Sequence, residues 1–341
     1  MTKGTIMTQL ITRIGFYAAL SAAVLTPACG SDNDNAPANM AGSGGQGQGI
    51  GGSGMGGSAN ATGGTSSTSQ SGDIVATAVA AGSFTKLAAA LDVAGLTAAL
   101  KGAGPFTVFA PTDAAFAAFE SANPGVLASL SKDQLAAILK YHVVAAKVLS
   151  KDLVSGSIVE TLNGARATVD LSSGAMISGS KVTQGDVMAS NGVIHVIDKI
   201  MLPPSKDIVA TAVAAGSFTK LAGALTATGL IATLQGAGPF TVFAPTDDAF
   251  AAFEAKNPGV LASLSTSQLS DVLLYHVVSG WVGAADLKDG ASVNTALSGK
   301  ALKVNTTSGV KVNDSKVTTA NIVTTNGVIH VIDAVLLPPS H

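Results

Sequence analysis

"GAGPFTVFAPTD" stands at Gly102–Asp113 and again, unchanged, at Gly236–Asp247. The stretch has no histidine and a single charged residue. Phe106, Val108 and Ala110 alternate with polar or outward positions, the pattern of a strand with one face on a core. Pro111 ends the strand. Thr112 or Asp113 can then cap a helix carrying Phe116 and Phe119, with Asp113 near the positive helix end. The stretch reads as a strand-to-helix joint, and Thr112, Asp113, Thr246 and Asp247 as structural residues rather than catalytic ones.

Working outward, the repeat extends across most of the chain. "DIVATAVAAGSFTKLA" at Asp73–Ala88 recurs at Asp207–Ala222, and "NPGVLASLS" at Asn123–Ser131 recurs at Asn257–Ser265. "NGVIHVID" at Asn191–Asp198 recurs at Asn326–Asp333. Each copy is domain-sized, unlike the short units of a solenoid. Two globular domains in series are expected, at 73–205 and 206–341, joined by the proline-stiffened "LPPSKD" of Leu202–Asp207. Within each copy the first half has helical spacing (Ile74, Ala78 and Ala81, then Phe84, Leu87 and Leu91). Ser131 and Gln134 form a capping box. The second half alternates as strands, at Ala167, Val169 and Leu171 and through "GVIHVIDKIMLPP". Helices first and strands later predict an α+β fold.

The 341 residues are 47% hydrophobic and 12% charged, with a net charge of −2. Residues 73–205 hold nine Lys/Arg against ten Asp/Glu, and 206–341 hold eight against nine. Neither half has the basic field that a phosphate backbone requires, so nucleic acid is excluded as a partner class. The one cysteine, Cys29, allows no intrachain disulfide and no paired-cysteine metal motif.

Cys29 gains meaning from its position. Lys3 and Arg13 precede a twelve-residue apolar run, Ile14–Leu25, which suits a secretory signal and is too short to span a bilayer. "TPAC" sets small Ala28 before Cys29, resembling a bacterial lipoprotein signal, with Thr26 where that motif usually has Leu or Val. Residues 1–28 are expected to be a signal peptide and Cys29 the lipidated new N-terminus. Cleavage near Ala28 without lipidation would give a periplasmic or secreted protein instead. The Gly/Ser-rich tract 29–72 reads as a flexible tether. Its "GQGIGG" fits a dinucleotide pattern only formally, having no strand before it and no helix after it.

"FTVFAPTDAAF", then "YHVV", then "NGVIHVIDKIMLPP", in this order and present twice, resembles the fasciclin domain. The resemblance covers both copies. It implies an antiparallel β-wedge or sandwich packed with several helices, a surface or extracellular place, and adhesion or matrix interaction without catalysis. In animal members, adhesive activity has been attributed to an Asp-Ile pair before the last motif and to the Tyr-His pair. Here the first copy carries Asp186-Val187, and the second Asn321-Ile322, which lacks the carboxylate. Tyr141-His142 and Tyr275-His276 match fully.

His142 continues the apolar stripe of Leu135, Ile138 and Leu139, so a buried ring bonded to the Thr112–Asp113 segment is expected, and His276 likewise with Thr246–Asp247. His195 and His330 lie in alternating strands and read as structural. No spacing suits a metal site and no nucleophile elbow is present, so no cofactor, metal or catalytic residue is assigned. The copies diverge most over Ala145–Ser190 and Ser279–Thr325. That region, with the sole tryptophan, Trp281, as a candidate contact anchor, is expected to face the partner. The leading reading is a cell-envelope protein, joined to the membrane only through its N-terminal lipid. Its two domains would bind a cell-surface or matrix protein or polysaccharide, with avidity from two sites. The alternative is a surface or periplasmic module enclosing a small molecule or glycan, and a hydrolase ranks behind both.

Overall fold

Side-chain caps set where the helices begin. In the computed structural model, which describes residues 72–339, Asp73 accepts from the Ala76 N–H and opens α1 (Ile74–Ala80). A break at Gly82–Phe84 separates it from α2 (Thr85–Ala94), so the helical spacing of this segment belongs to two helices. After α3 (Thr97–Leu100) comes β1 (Phe106–Pro111), and Thr112 caps α4 (Asp113–Ala122) through the Ala115 N–H. α5 (Val126–Ser129) precedes α6 (Lys132–Tyr141), which opens on the Ser131–Gln134 capping box. The strand half follows as β2 (Val143–Val144), β3 (Ile158–Glu160), β4 (Arg166–Asp170), β5 (Met176–Ile177), β6 (Ser180–Ala189) and β7 (Gly192–Ile197). The expected signal at 1–28, Cys29 and the tract to residue 71 lie outside the described residues. Gly72 already belongs to the first domain, its carbonyl accepting from the Ser190 N–H.

The second domain repeats this order. Its helices are α7 (Ile208–Ala215), α8 (Thr219–Thr228), α9 (Ile231–Leu234), α10 (Asp247–Lys256), α11 (Val260–Ser263) and α12 (Thr266–Tyr275). Its strands are β8 (Phe240–Pro245), β9 (Val277–Ser279), β10 (Ser292–Asn294), β11 (Ala301–Asn305), β12 (Lys311–Val312), β13 (Ser315–Val323) and β14 (Gly327–Ile332).

Each domain has one seven-stranded sheet, ordered β2-β1-β7-β6-β5-β4-β3 in the first and equivalently in the second. The α+β expectation holds. The antiparallel expectation needs one correction: β1 and β7 pair in parallel, Phe106 opposite Gly192 through Pro111 opposite Ile197, and β8 and β14 do the same. Such a pair requires a long crossover, supplied by everything between the two strands.

The central pair is covered on both faces. On one face Val108, Ala110 and Ile194 meet Ile74, Leu87, Leu91, Phe116 and Leu139 from the helices. On the other, Phe109 and Ile197 pack with Tyr141, Leu153, Val169, Ile177 and Met201, where the outer strands fold back over the sheet. Phe109 and Thr107, expected on the outward side, are therefore inside as well. Backbones come closest at the start of β7. A Cβ on Gly192 would lie 2.1 Å from the Phe106 carbonyl oxygen, and one on Gly327 2.0 Å from that of Phe240. No other residue fits there.

Candidate functional site

Asp113 has a role more specific than the sequence suggested. Thr112 caps Asp113's own helix, while the Asp113 carboxylate reaches back to the start of α2. It accepts from the Lys86 N–H at 2.8 Å, the Thr85 N–H at 3.2 Å and the Thr85 hydroxyl at 2.6 Å. Partial burial opposes ionisation, but these donors and the Lys86 charge prevail and hold the carboxyl below its ordinary range. Asp247 repeats the arrangement on Thr219 and Lys220, its pKa lowered first by the Thr219 hydroxyl. These carboxylates join two helices and approach no reactive group.

The Tyr-His pairs are interior. Tyr141 and His142 are each 2% exposed, as are Tyr275 and His276. The Tyr141 hydroxyl donates to the Arg166 carbonyl and shares a hydrogen bond with Ser178; Tyr275 donates to the Ala301 carbonyl and accepts from Asn313. The His142 ring is buried as expected, but its partners are not Thr112–Asp113. Its Nδ1–H donates to the Ile138 carbonyl at 2.8 Å, and its Nε2 accepts from the Met201 N–H at 2.9 Å. His276 does the same with Val272 and Leu336. Thus the ring ties α6 to the segment that leaves β7. Burial lowers both histidine pKa values to about 4, against a smaller upward pull from the carbonyl. Neutral rings suit this geometry, because protonated Nε2 cannot accept.

The exposed chemistry is assembled around His195 and His330. Both rings are fully buried, each stacked on a phenylalanine, Phe109 at 5.6 Å and Phe243 at 5.3 Å between centroids. His195 Nε2–H donates to the Val148 carbonyl, and its Nδ1 accepts a long bond, 3.4 Å, from the Asp186 N–H. Beneath it, buried Thr107 donates to the Ala146 carbonyl and accepts from the Val148 N–H. Two interior side chains thereby hold the 145–150 loop against a bulged stretch of β6, where the register shifts between Gln184 and Val187. Asp186 sits at that bulge with φ +57°, a left-handed conformation that Asp and Asn tolerate. It is exposed, and Val187 beside it is half-buried against the helix-side core. Its carboxyl is held below the ordinary range first by the Ser150 N–H, at 2.8 Å, with His195 and Lys151 contributing.

The second domain builds the same face from different residues and covers it. Asn321, at φ +59°, accepts from the Ala284 N–H at 2.9 Å, as Asp186 does from Ser150. Its amide nitrogen donates to the Gly156 carbonyl of the first domain, also at 2.9 Å. The Ala285 N–H donates to that same carbonyl at 3.0 Å. Trp281 lies under the Arg166 guanidinium of the first domain, 5.1 Å from ring centroid to Cζ, and Arg166 also pairs with Glu160 at 2.8 Å. The divergent region was expected to face a partner; in the second domain part of it faces the first. Trp281 is a contact anchor inside the chain, and the two copies do not present equal faces to solvent.

The fasciclin domain model matches residues 82–203 and 216–338, most of the chain. The protein belongs to the fasciclin domain family. It is 29% identical over 246 residues to the pig (Sus scrofa) transforming growth factor-beta-induced protein ig-h3, covering 71% of this chain and 36% of that one. The chain thus spans about a third of that relative. Protein sll1483 of Synechocystis is 45% identical over 130 residues, covering 37% of this chain and 72% of that protein. The solved FAS1 domain pair of the insect cell adhesion molecule Fasciclin I is 20% identical, with 73% of this chain and 92% of that chain covered and a TM-score of 0.37.

Sequence reasoning missed Asn191 and Asn326 in the fasciclin motif "NGVIHVID". Asn326 accepts from the Ile208 N–H and donates to the Leu234 and Gly236 carbonyls, stitching the start of α7 to the end of α9; Asn191 repeats the pattern. An Asn-Gly beside a β-branched run was the available signal. Among the described residues no group of three His, Cys, Asp or Glu side chains could hold a metal ion. A cavity of about 20 Å³ in the second fasciclin domain and one of about 10 Å³ in the first are lined by aliphatic and aromatic side chains, including Leu221, Phe218, Leu87 and Ile194. That is room for about one water. No described helix is long and apolar enough to cross a membrane.

Proposed function

We propose that this protein is exported and acts non-catalytically, as an adhesion or matrix-interaction protein, through a binding surface on its first fasciclin domain. One observation carries the reading: the Asp186 bulge is held rigidly and left open. Interior His195 and Thr107 fix the loop and bulge, Ser150 orients the carboxylate, and exposed Lys151, whose charge reaches that carboxylate, adds the opposite sign. A pre-organised charged surface supplies steering and specificity to a protein or polysaccharide partner at little ordering cost. Fasciclin I, which shares the family, is described as a cell adhesion molecule. In this reading Cys29 carries the lipid and residues 30–71 hold the domain pair away from the membrane.

A glycan and matrix-protein array probed with the two-domain chain tests the claim. At least one binder is expected, weakened by Asp186→Asn and by Lys151→Glu. Binding unaffected by both would move the partner surface elsewhere. Intact mass of the mature N-terminus tests the anchor; an unmodified Cys29 would remove it. The pocket alternative gains no support from cavities of this size and lining.

A further inference from the structure

The contact between the domains is heterologous: the bulge face of the second domain sits on the β3–β4 edge of the first. Such contacts repeat head to tail unless something stops them. Both domains carry both surfaces in the same fold, so a third domain or a second copy of the chain could in principle continue the array. The acceptor backbone is shared, Gly156 of the first domain being matched by Gly290 of the second, but the side chains that make the contact differ.

On the face side, Asn321, Trp281 and Gly283 of the second domain correspond to Asp186, Lys147 and Leu149 of the first. Gly283 approaches so closely that a Cβ there would lie 2.9 Å from Ile158 Cγ1 and 3.1 Å from the Gly156 carbonyl oxygen. Leucine at this position would collide with the edge. Ala284 and Ala285, half-buried, correspond to exposed Ser150 and Lys151. On the edge side, Arg166 and Ile158 of the first domain correspond to Ala301 and Ser292 of the second, so the guanidinium over the indole and the apolar contact both lose their source.

Asn321 is the decisive exchange. Its oxygen satisfies the Ala284 N–H and its nitrogen satisfies the Gly156 carbonyl. An aspartate can do the first and not the second; it would turn a carboxylate oxygen toward a carbonyl oxygen at hydrogen-bonding distance. Asp186 shows that aspartate is compatible with the same bulge, at nearly the same φ.

We propose that docking of the two domains is specified by an amide at position 321, and that Asp186 at the equivalent position withholds the same docking from the first domain. The pair closes on itself once and does not extend. The Asp186 face thereby stays available to a partner of different chemistry.

Trp281 is the only tryptophan in the chain and lies in the contact, so its fluorescence reads the docking directly. In Asn321→Asp, acrylamide quenching should rise and emission shift to the red, while far-UV circular dichroism stays native. Arg166→Ala, placed on the other domain, should expose the indole in the same direction without touching the fold of the second. Small-angle scattering should show a larger radius of gyration for Asn321→Asp than for wild type or Asp186→Asn. Unchanged quenching and scattering in Asn321→Asp with a native fold would overturn the docking claim. Head-to-tail oligomers of the wild-type chain in sedimentation velocity would overturn the claim that the array ends at two.

Discussion

The Asp186 face and the Asn321 face have the same backbone, supported by the same buried threonine and histidine, yet one is open and charged and the other is closed and neutral. Comparing them separates two kinds of residue. Those that build the face (Thr107, His195, Thr241 and His330) are identical in both copies and lie inside. Those on the face differ and decide what it touches. Identity between the copies marks the scaffold; divergence marks an interface, whether internal or external.

If that division is right, scaffold substitutions should injure both domains equally. The largest effect is expected from Gly192→Ala and Gly327→Ala, where the new methyl would meet a strand carbonyl near 2 Å. Each should destabilise its domain by more than ~4 kcal/mol, the range of severe overpacking, as measured by urea denaturation. A mild effect in one copy and a severe one in the other would break the claimed equivalence.

Acid should come next, acting through the same buried ring in each domain. His142 and His276 have folded pKa values near 4 against an ordinary 6.5. Both states are neutral above pH 6.5, where the stability is fully present. Between 6.5 and 4 the unfolded chain takes up a proton that the folded chain refuses, so stability is lost as pH falls. The loss should approach about 3 kcal/mol per domain, read from denaturation midpoints at pH 7, 5.5 and 4. His330, also lowered by burial, adds in the same direction in the second domain. Stability flat over this window would show that the rings are not buried and neutral.

The smallest scaffold effect belongs to the helix-joining carboxylates. Asp113→Ala and Asp247→Ala should each cost ~1 kcal/mol, the usual value of a lost cap, by thermal or urea unfolding. Unequal costs would mean that the two joints are not the same device.

Much of this was legible in the sequence. The repeat gave the domain count, the family motifs gave the fold, and the Ser131–Gln134 box and the capping by Thr112 were readable locally. The rest depended on distance along the chain. Alternation in Phe106–Ala110 indicates one buried face, but a central strand of a folded-over sheet has two, so Phe109 and Thr107 were assigned outward. Parallel pairing of β1 with β7 leaves no local trace. His142 was correctly read as interior, but its second partner, Met201, lies 59 residues away. Divergence between the copies pointed to the contact surface without saying that one of its partners was the other copy. The contacts of Asn321 and Ala285 with Gly156 and of Trp281 with Arg166 show that.

Amide hydrogen exchange at the two equivalent positions, Ala285 and Lys151, tests the central comparison most directly. The Ala285 N–H donates across the domain boundary to Gly156, while Lys151 lies on the open face. Strong protection of Ala285 with fast exchange of Lys151, resolved by NMR on the native chain, is the predicted result. Equal exchange at the two amides would mean that both faces are open and would contradict the account.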